Sequence, residues 1–416
     1  MRPMVSSKAP GRRQFLRQAG SLGLASGLGG ATLDALAAAP GTATLPFPNG
    51  ERDLVSGYPQ KRAMIRQTTR PPQLETPFQV FNESIITPND AFFVRYHLAN
   101  IPTSIDVAKY RIKVGGLVTK PLEISVDDLK KNYGKPVDIV AVTQCSGNSR
   151  GFFLPRVGGG QSGNGAMGNA RWTGIPLKRI LEKAGVGAGA RQVSFEGLDR
   201  PVLPATPEFV KALDIAHAMD GEVMLAFAMN GADLPMLNGY PVRLIVPGYY
   251  GTYWVKHIAD IKVLDHEFDG FWMKTAYRIP DNETASVEPG TAPAKTRPIG
   301  RYNVRSFITS LADGAGVQKG KPVAVKGIAF DGGKGIRSVQ FSADGGKTWK
   351  NATLGKDLGP YSFREWRIAF TPEHAGAYEL KVRATNNAGQ TQPMEALWNP
   401  AGYMRNVVET VRVNAA

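Results

Sequence analysis

Cysteine is nearly missing from this 416-residue sequence, where Cys145 is the only one. An internal disulfide is thereby excluded, as is every metal site built from several thiolates. No Cys-x-x-Cys-His occurs, so the chain carries no covalently attached c-type haem, and redox chemistry here would need another carrier. Beyond the N-terminal segment no apolar run reaches the roughly 20 residues that a membrane-spanning helix requires. Cations outnumber carboxylates by 50 to 35, a formal charge of +15. No arginine-rich run or RNA-binding signature gathers those charges, which argues against a nucleic-acid partner. A membrane surface, a small anion or an acidic protein remain as reasons for the basic balance. The histidines His217, His257, His266 and His374 show no ligand spacing for a second metal.

What is present describes a folded, multi-part chain. Hydrophobic residues make up 42% and charged residues 20%, proportions of a globular protein rather than a disordered one. Residues 12–17 read Arg-Arg-Gln-Phe-Leu-Arg, and a mildly apolar stretch rich in glycine and alanine runs from Ala19 to Ala37. Ala35-Leu-Ala37 offers small residues at the spacing of a signal-peptidase site. The segment resembles a Tat export signal over residues 1–39, which implies a periplasmic protein exported already folded.

Three stretches follow. Residues 40–289 read as an α+β domain whose first part, Pro46 to Pro71, is polar and proline-bearing, a wrapping or linker segment. Tyr110-Arg-Ile-Lys-Val-Gly-Gly alternates like a strand, and Val126-Asp-Asp-Leu-Lys-Lys starts a short helix. Ile175-Pro-Leu-Lys-Arg-Ile-Leu-Glu-Lys-Ala-Gly has helical periodicity, with proline near its start and glycine at its end. Residues 290–300 form a proline-rich linker. Residues 301–416 show short strands separated by turns such as Asp344-Gly-Gly-Lys, the pattern of a β-sandwich.

Two short stretches carry chemistry. Cys145 ends an apolar strand in Ala141-Val-Thr-Gln-Cys-Ser-Gly-Asn-Ser-Arg150. A lone cysteine is often just a small buried residue, but this one meets a polar turn, and Arg150 would favour its thiolate. Thiolate suits a soft or highly oxidised metal. In Ala91-Phe-Phe-Val-Arg-Tyr-His-Leu, Arg95 and His97 fall on one face of a strand. They make either a solvated edge or one wall of an anion pocket.

Together these stretches resemble the sulfite oxidase family of molybdopterin enzymes. Further motifs follow in order: Asn169-Ala-Arg-Trp-Thr-Gly-Ile-Pro-Leu, Phe195-Glu-Gly-Leu-Asp, Gly239-Tyr-Pro-Val-Arg-Leu-Ile-Val-Pro-Gly and Trp254-Val-Lys. Ser342-Ala-Asp-Gly-Gly-Lys-Thr-Trp and Trp398-Asn-Pro-Ala-Gly-Tyr resemble the family's immunoglobulin-like dimerisation domain.

The resemblance implies one molybdenum–molybdopterin per chain, with Cys145 as the sole protein ligand to the metal. It implies that Phe93, Val94, Arg95, Tyr96, His97, Asp199, Arg243, Trp254, Val255 and Lys256 hold the pterin and its phosphate. Asn238 stands where the animal enzymes have a pterin-contacting histidine. Arg95, Arg150 and Tyr277 match the substrate pocket, and Arg405 is a candidate third pocket arginine. The tryptophan that often flanks the substrate is missing. Val157-Gly-Gly-Gly-Gln-Ser-Gly-Asn-Gly lacks the Gly-Lys-Ser/Thr ending of a phosphate loop and reads as a flexible pocket-edge loop.

The implied activity is a sulfite dehydrogenase whose electrons pass to a c-type cytochrome or haem subunit, since no haem belongs to this chain. A homodimer through the C-terminal domain is also implied. Alternatives are a dehydrogenase for carrier-bound sulfane sulfur and a sulfoxide reductase of the same fold. Such reductases usually lack the sandwich, which counts against them here. A non-catalytic binding module is the remaining reading, and the set Cys145, Arg95, Arg150 and Tyr277 speaks against it.

Overall fold

With 47 glycines and 30 prolines in the sequence, few stretches can extend a helix beyond a turn or two. The computed structural model describes residues 43–47 and 50–416. The expected export signal over residues 1–39 lies outside the described residues. The expected α+β domain is in fact mostly β. Among the described residues only the helices Val126–Asn132 and Leu177–Ala184 exceed one turn.

Both of these helices have local causes. Ser125 caps the first through a reciprocal box with Asp128. The second buries Leu177, Ile180, Leu181 and Ala184, the i, i+3, i+4, i+7 stripe, and stops at Gly185, whose φ of +70° glycine tolerates.

The segment read as a wrapping linker instead forms strands. Gly50–Val55 and Met64–Thr68 pair in an antiparallel meander that continues through Gln73–Glu75 to the two residues Val94–Arg95. Its alternation is weak in sequence because much of it is only half-buried. A second sheet runs Val210–Asp214, Gln192–Glu196, Asp260–Leu264, Ile112–Gly116 and Leu122–Ile124 in spatial order. A third pairs Val137–Gln144 with Met167–Pro176, which pairs in turn with Met224–Met229. Trp172, on the middle strand of that sheet, is fully buried, and its indole donates to Ala141 O at 3.1 Å.

The C-terminal residues make two facing sheets. One contains Arg305–Ile308, Val323–Phe330, Arg364–Phe370 and Thr353–Leu354. The other contains Ala315–Val317, Thr410–Ala415, Gly376–Asn386, Ile336–Ser342 and Lys350–Asn351. Val325, Ala329 and Trp366 from the first sheet meet Val339, Leu380 and Val382 from the second in one apolar core. The segment expected as linker contributes strand Thr296–Pro298, which pairs with Arg278–Pro280.

The two halves share material. Phe307, Phe330 and Phe363 from the C-terminal sheet join the core of the preceding residues. Arg305, 1% exposed, donates to Gln144 Oε1 at 3.2 Å and Ser149 Oγ at 3.0 Å and pairs with Glu409 at 3.5 Å. Replacing it strands buried acceptors and half an ion pair. Arg305→Ala is therefore expected to lower stability by about 3 kcal/mol, read as a shift in the denaturant midpoint.

Candidate functional site

Strand Val137–Gln144 delivers Cys145 to a tight turn. Asn148 N–H donates to Cys145 O at 3.0 Å and Arg150 N–H to Gly147 O at 3.1 Å. The same turn is laced to the segment 162–166. Cys145 N–H reaches Ala166 O at 2.9 Å, Ser149 N–H reaches Gly163 O at 2.6 Å, and Gly151 N–H reaches Ser162 O at 2.9 Å. The thiol is therefore fixed from both sides, half-exposed and free of any disulfide.

Cys145 stands between two cavities. The first, of about 630 Å³, has a wall that includes Phe93, Arg95, Tyr96, His97, Cys145, Asp199, Asn238, Arg243, Trp254, Val255, Lys256 and Tyr277. The second, of about 570 Å³, shares Phe93, Arg95 and Cys145 and adds Val94 and Arg150. Every residue anticipated from the sequence thus lines one cavity or the other, except Arg405. That side chain pairs with Glu409 at 3.0 Å and lies over the Phe152 ring at 5.3 Å, so its charge is already matched away from both cavities. Arg305, which sequence reading passed over, meets the same Glu409 and reaches the catalytic turn.

The first cavity is cationic and polar. Arg95, Arg243 and Lys256 face a single carboxylate, Asp199. Arg243 sits over the rings of Trp172 and Trp254, at 5.1 and 5.8 Å, and donates to Asn238 O and Trp254 O. Burial lowers its guanidinium to about 10, which leaves it charged at neutral pH. Lys256 lies 4.2 Å over the Tyr96 ring and donates to Arg95 O. His257 holds Tyr96 from behind. Its Nδ1–H donates to Tyr240 O at 2.6 Å, so Nε2 accepts the Tyr96 hydroxyl proton at 2.7 Å. Burial brings that imidazole down to about 3, so it stays neutral.

Four buried polar atoms on this wall have no partner among the described residues: Thr143 Oγ1, Ser146 Oγ, Arg243 Nε and Thr252 Oγ1. Each such atom costs about 1–3 kcal/mol while unmet. A polar, anionic occupant would satisfy them, and the donor set fits a pterin bearing a phosphate. Among the described residues no group of three His, Cys, Asp or Glu could hold a metal.

Asn238 is spent on structure. Lys61 donates to its Oδ1 at 2.5 Å, while its amide donates to Phe93 O at 3.0 Å. Lys61 is half-buried, the desolvation of its ammonium brings it down to about 7, and it also bonds Asn89 O and Phe92 O. Sequence reading missed it because its target lies 177 positions away.

Tyr277 closes the far side. Its hydroxyl bonds His97 Nε2, its ring stacks on Tyr403 at 5.5 Å, and its φ of +59° is unusual for a bulky residue. Burial pushes the phenol well above its ordinary value. His97 is pushed well below its own, by burial first and then by Arg95, Lys256 and Lys211. It stacks on Phe209 at 3.7 Å, a contact no local pattern announced.

Arg150 occupies a cradle of glycines. A Cβ on Gly147, Gly159 or Gly402 would come within 2.7, 2.7 or 2.9 Å of its side chain. The guanidinium donates to Ala401 O at 3.1 Å and Gly160 O at 3.3 Å and lies over the Tyr403 ring. The glycine-rich run expected as a flexible edge loop does border the second cavity, but it is tied down. Gly163 and Gly165 N–H groups donate to Glu75, and Gln161 bonds Val157 O and Gly159 O.

Lys211 lies behind Tyr277, fully buried, donating to Trp272 O at 2.6 Å, and burial lowers it to about 7. Between about pH 7 and its ordinary value of 10.5 the unfolded chain binds the proton that the folded chain has released. Stability is therefore expected to rise with pH across that window. Denaturant midpoints at pH 7 and pH 9 should show it, and Lys211→Met should reduce the difference, leaving the share that Lys61 contributes with the same sign.

Residues 97–272 match the model of the oxidoreductase molybdopterin binding domain, and residues 296–416 match the Mo-co oxidoreductase dimerisation domain. The chain is 34% identical over 380 residues to mitochondrial sulfite oxidase of Rattus norvegicus, covering 87% of this chain and 67% of that protein. It is 31% identical over 370 residues to sulfite oxidase of Gallus gallus, covering 85% and 78%. The chain thus spans about two thirds of the rat protein. Among solved structures, the sulfane dehydrogenase SoxCD of Paracoccus pantotrophus superposes with a TM-score of 0.71 at 27% identity, covering 82% of this chain and 85% of that one.

Proposed function

We propose that this chain, which belongs to the sulfite oxidase family of molybdopterin oxidoreductases, is an exported sulfite dehydrogenase that passes its electrons to a c-type cytochrome. It is a molybdenum-dependent oxidoreductase with a molybdenum–molybdopterin cofactor. One observation carries the reading of the substrate. The thiol of Cys145 forms part of the wall between a cationic cavity and a second cavity bearing Arg95 and Arg150.

Cys145 would hold the metal, and Arg243, Lys256, Asp199 and the backbone around Phe93–His97 would hold the pterin and its phosphate. When bound, that centre supplies oxygen-atom transfer and two-electron redox chemistry. The chain's own residues do the rest. Arg95 and Arg150 present guanidinium groups to a small oxyanion, with directed, charge-assisted bonds. Sulfite and water give sulfate, two protons and two electrons. The protons need acceptors at the site. Tyr277, hydrogen-bonded to a neutral His97, offers a hydroxyl that can pass one along. Phe93, Phe209 and Trp254 keep bulk water from the cavity between those groups.

Export rests on the twin arginines Arg12-Arg13 and the small residues near Ala37. The cytochrome acceptor follows from the need to remove electrons singly without a haem in the chain. Pairing of two chains through residues 296–416 follows from the dimerisation-domain match. A second reading is favoured by the SoxCD likeness: oxidation of sulfane sulfur on a carrier.

The deciding experiment measures molybdenum in the purified chain together with sulfite-dependent reduction of cytochrome c. Molybdenum near one per chain with rapid reduction is expected. Metal without sulfite turnover would sink the sulfite assignment and leave the sulfane reading. Cys145→Ser should abolish turnover, since a hydroxyl replaces a soft anionic ligand. Arg95→Met should raise the sulfite KM about tenfold with metal content intact, and loss of metal would move Arg95 to the cofactor side.

A further inference from the structure

Glu75 is buried in strand Gln73–Glu75, only 2% exposed, and borders the second cavity without any role in the chemistry described above. Its Oε1 accepts Gly165 N–H at 2.8 Å, and its Oε2 accepts Gly163 N–H at 3.1 Å and Gln67 Nε2–H at 2.9 Å. The neighbouring Thr76 N–H donates to Gly165 O at 3.1 Å, so Gly165 is gripped at both ends of its backbone. Only glycine permits that approach: a Cβ on Gly165 would lie 1.9 Å from Thr76 O.

What Glu75 grips is the partner of the catalytic turn. Ala166, next in the chain, accepts Cys145 N–H through its carbonyl and donates its own N–H to Asn148 Oδ1 at 2.9 Å. Gly163 O receives Ser149 N–H, and Gly160 O receives the Arg150 guanidinium. The carbonyls of Gly160, Ser162, Gly163 and Ala166 thus face the turn that carries Cys145 and Arg150. Two of its N–H groups, at 163 and 165, point the other way and converge on one carboxylate. We propose that Glu75 is the positioning residue of the site, holding segment 160–166 so that Cys145 and Arg150 keep their separation across the second cavity.

Burial raises the carboxyl of Glu75 to about 7 against the pull of its N–H donors. An apolar residue would spare the fold that cost but would orphan two backbone donors. Glutamine cannot replace it fully, because its amide would turn a donor toward one of the two N–H groups.

The proposal rests on Arg150 binding the substrate, so its test has an arm that needs no turnover. In Glu75→Gln, hydrogen exchange of the amides in residues 160–166 should quicken at least tenfold relative to wild type. With molybdenum content near that of wild type, the sulfite KM should rise about tenfold while kcat stays within about threefold. Unchanged exchange with KM within twofold would overturn the proposal. If wild type itself fails to oxidise sulfite, the substrate reading falls while the exchange arm still decides Glu75. Should Glu75→Gln not fold, Gln67→Leu removes one of the three donors to the carboxylate. Exchange quickened about threefold in 160–166 then supports the proposal, and unchanged exchange overturns it.

Discussion

The pairing of the Cys145 turn with residues 162–166 is the constraint on which the site depends. A thiol at the end of a strand has no inherent aim. Here its backbone N–H is fixed by Ala166 O, and the turn beyond it by Gly163 O and Ser162 O. Those bonds continue the ladder of Val137–Gln144 against Met167–Pro176 past the formal end of the sheet. Sheet pairing, a matter of stability elsewhere in the fold, here becomes a matter of placing one sulfur atom.

Charge is arranged around that atom with equal economy. The cofactor cavity collects cations and leaves four polar atoms unmet, a costly arrangement unless an anion fills it. Its histidines are kept neutral by burial and by neighbouring cations, so they serve as hydrogen-bonding groups rather than charges. Aromatic rings supply the walls, with Trp172 and Trp254 flanking Arg243 and Tyr403 stacked on Tyr277.

Much of this was legible in the sequence, for reasons that can be named. Cys145 stood out because a β-type run met a polar turn, and Arg95 and His97 because a period of two puts them on one face. The ordered motifs then pointed to the cofactor. Other parts had no local signal. Lys61 and Glu75 act on partners 177 and about 90 positions away. Arg405 and Arg305 both meet Glu409, and only the tertiary structure shows that Arg305 is the one reaching the catalytic turn. The early segment reads as linker because half-buried strands alternate weakly, whereas the two helices expected from Val126 and from Ile175-Pro-Leu are both present.

Arg150 and Tyr277 both lean on residues near 400: the guanidinium on Ala401 O and the Tyr403 ring, the phenol on the same ring. The chamber around the thiol is thus built from both ends of the described chain, with Lys61 near its start and Tyr403 near its finish. Walls drawn from segments so far apart in sequence exist only once tertiary folding has brought them together, so a large cofactor held there is secured by the assembled fold and by no single local stretch.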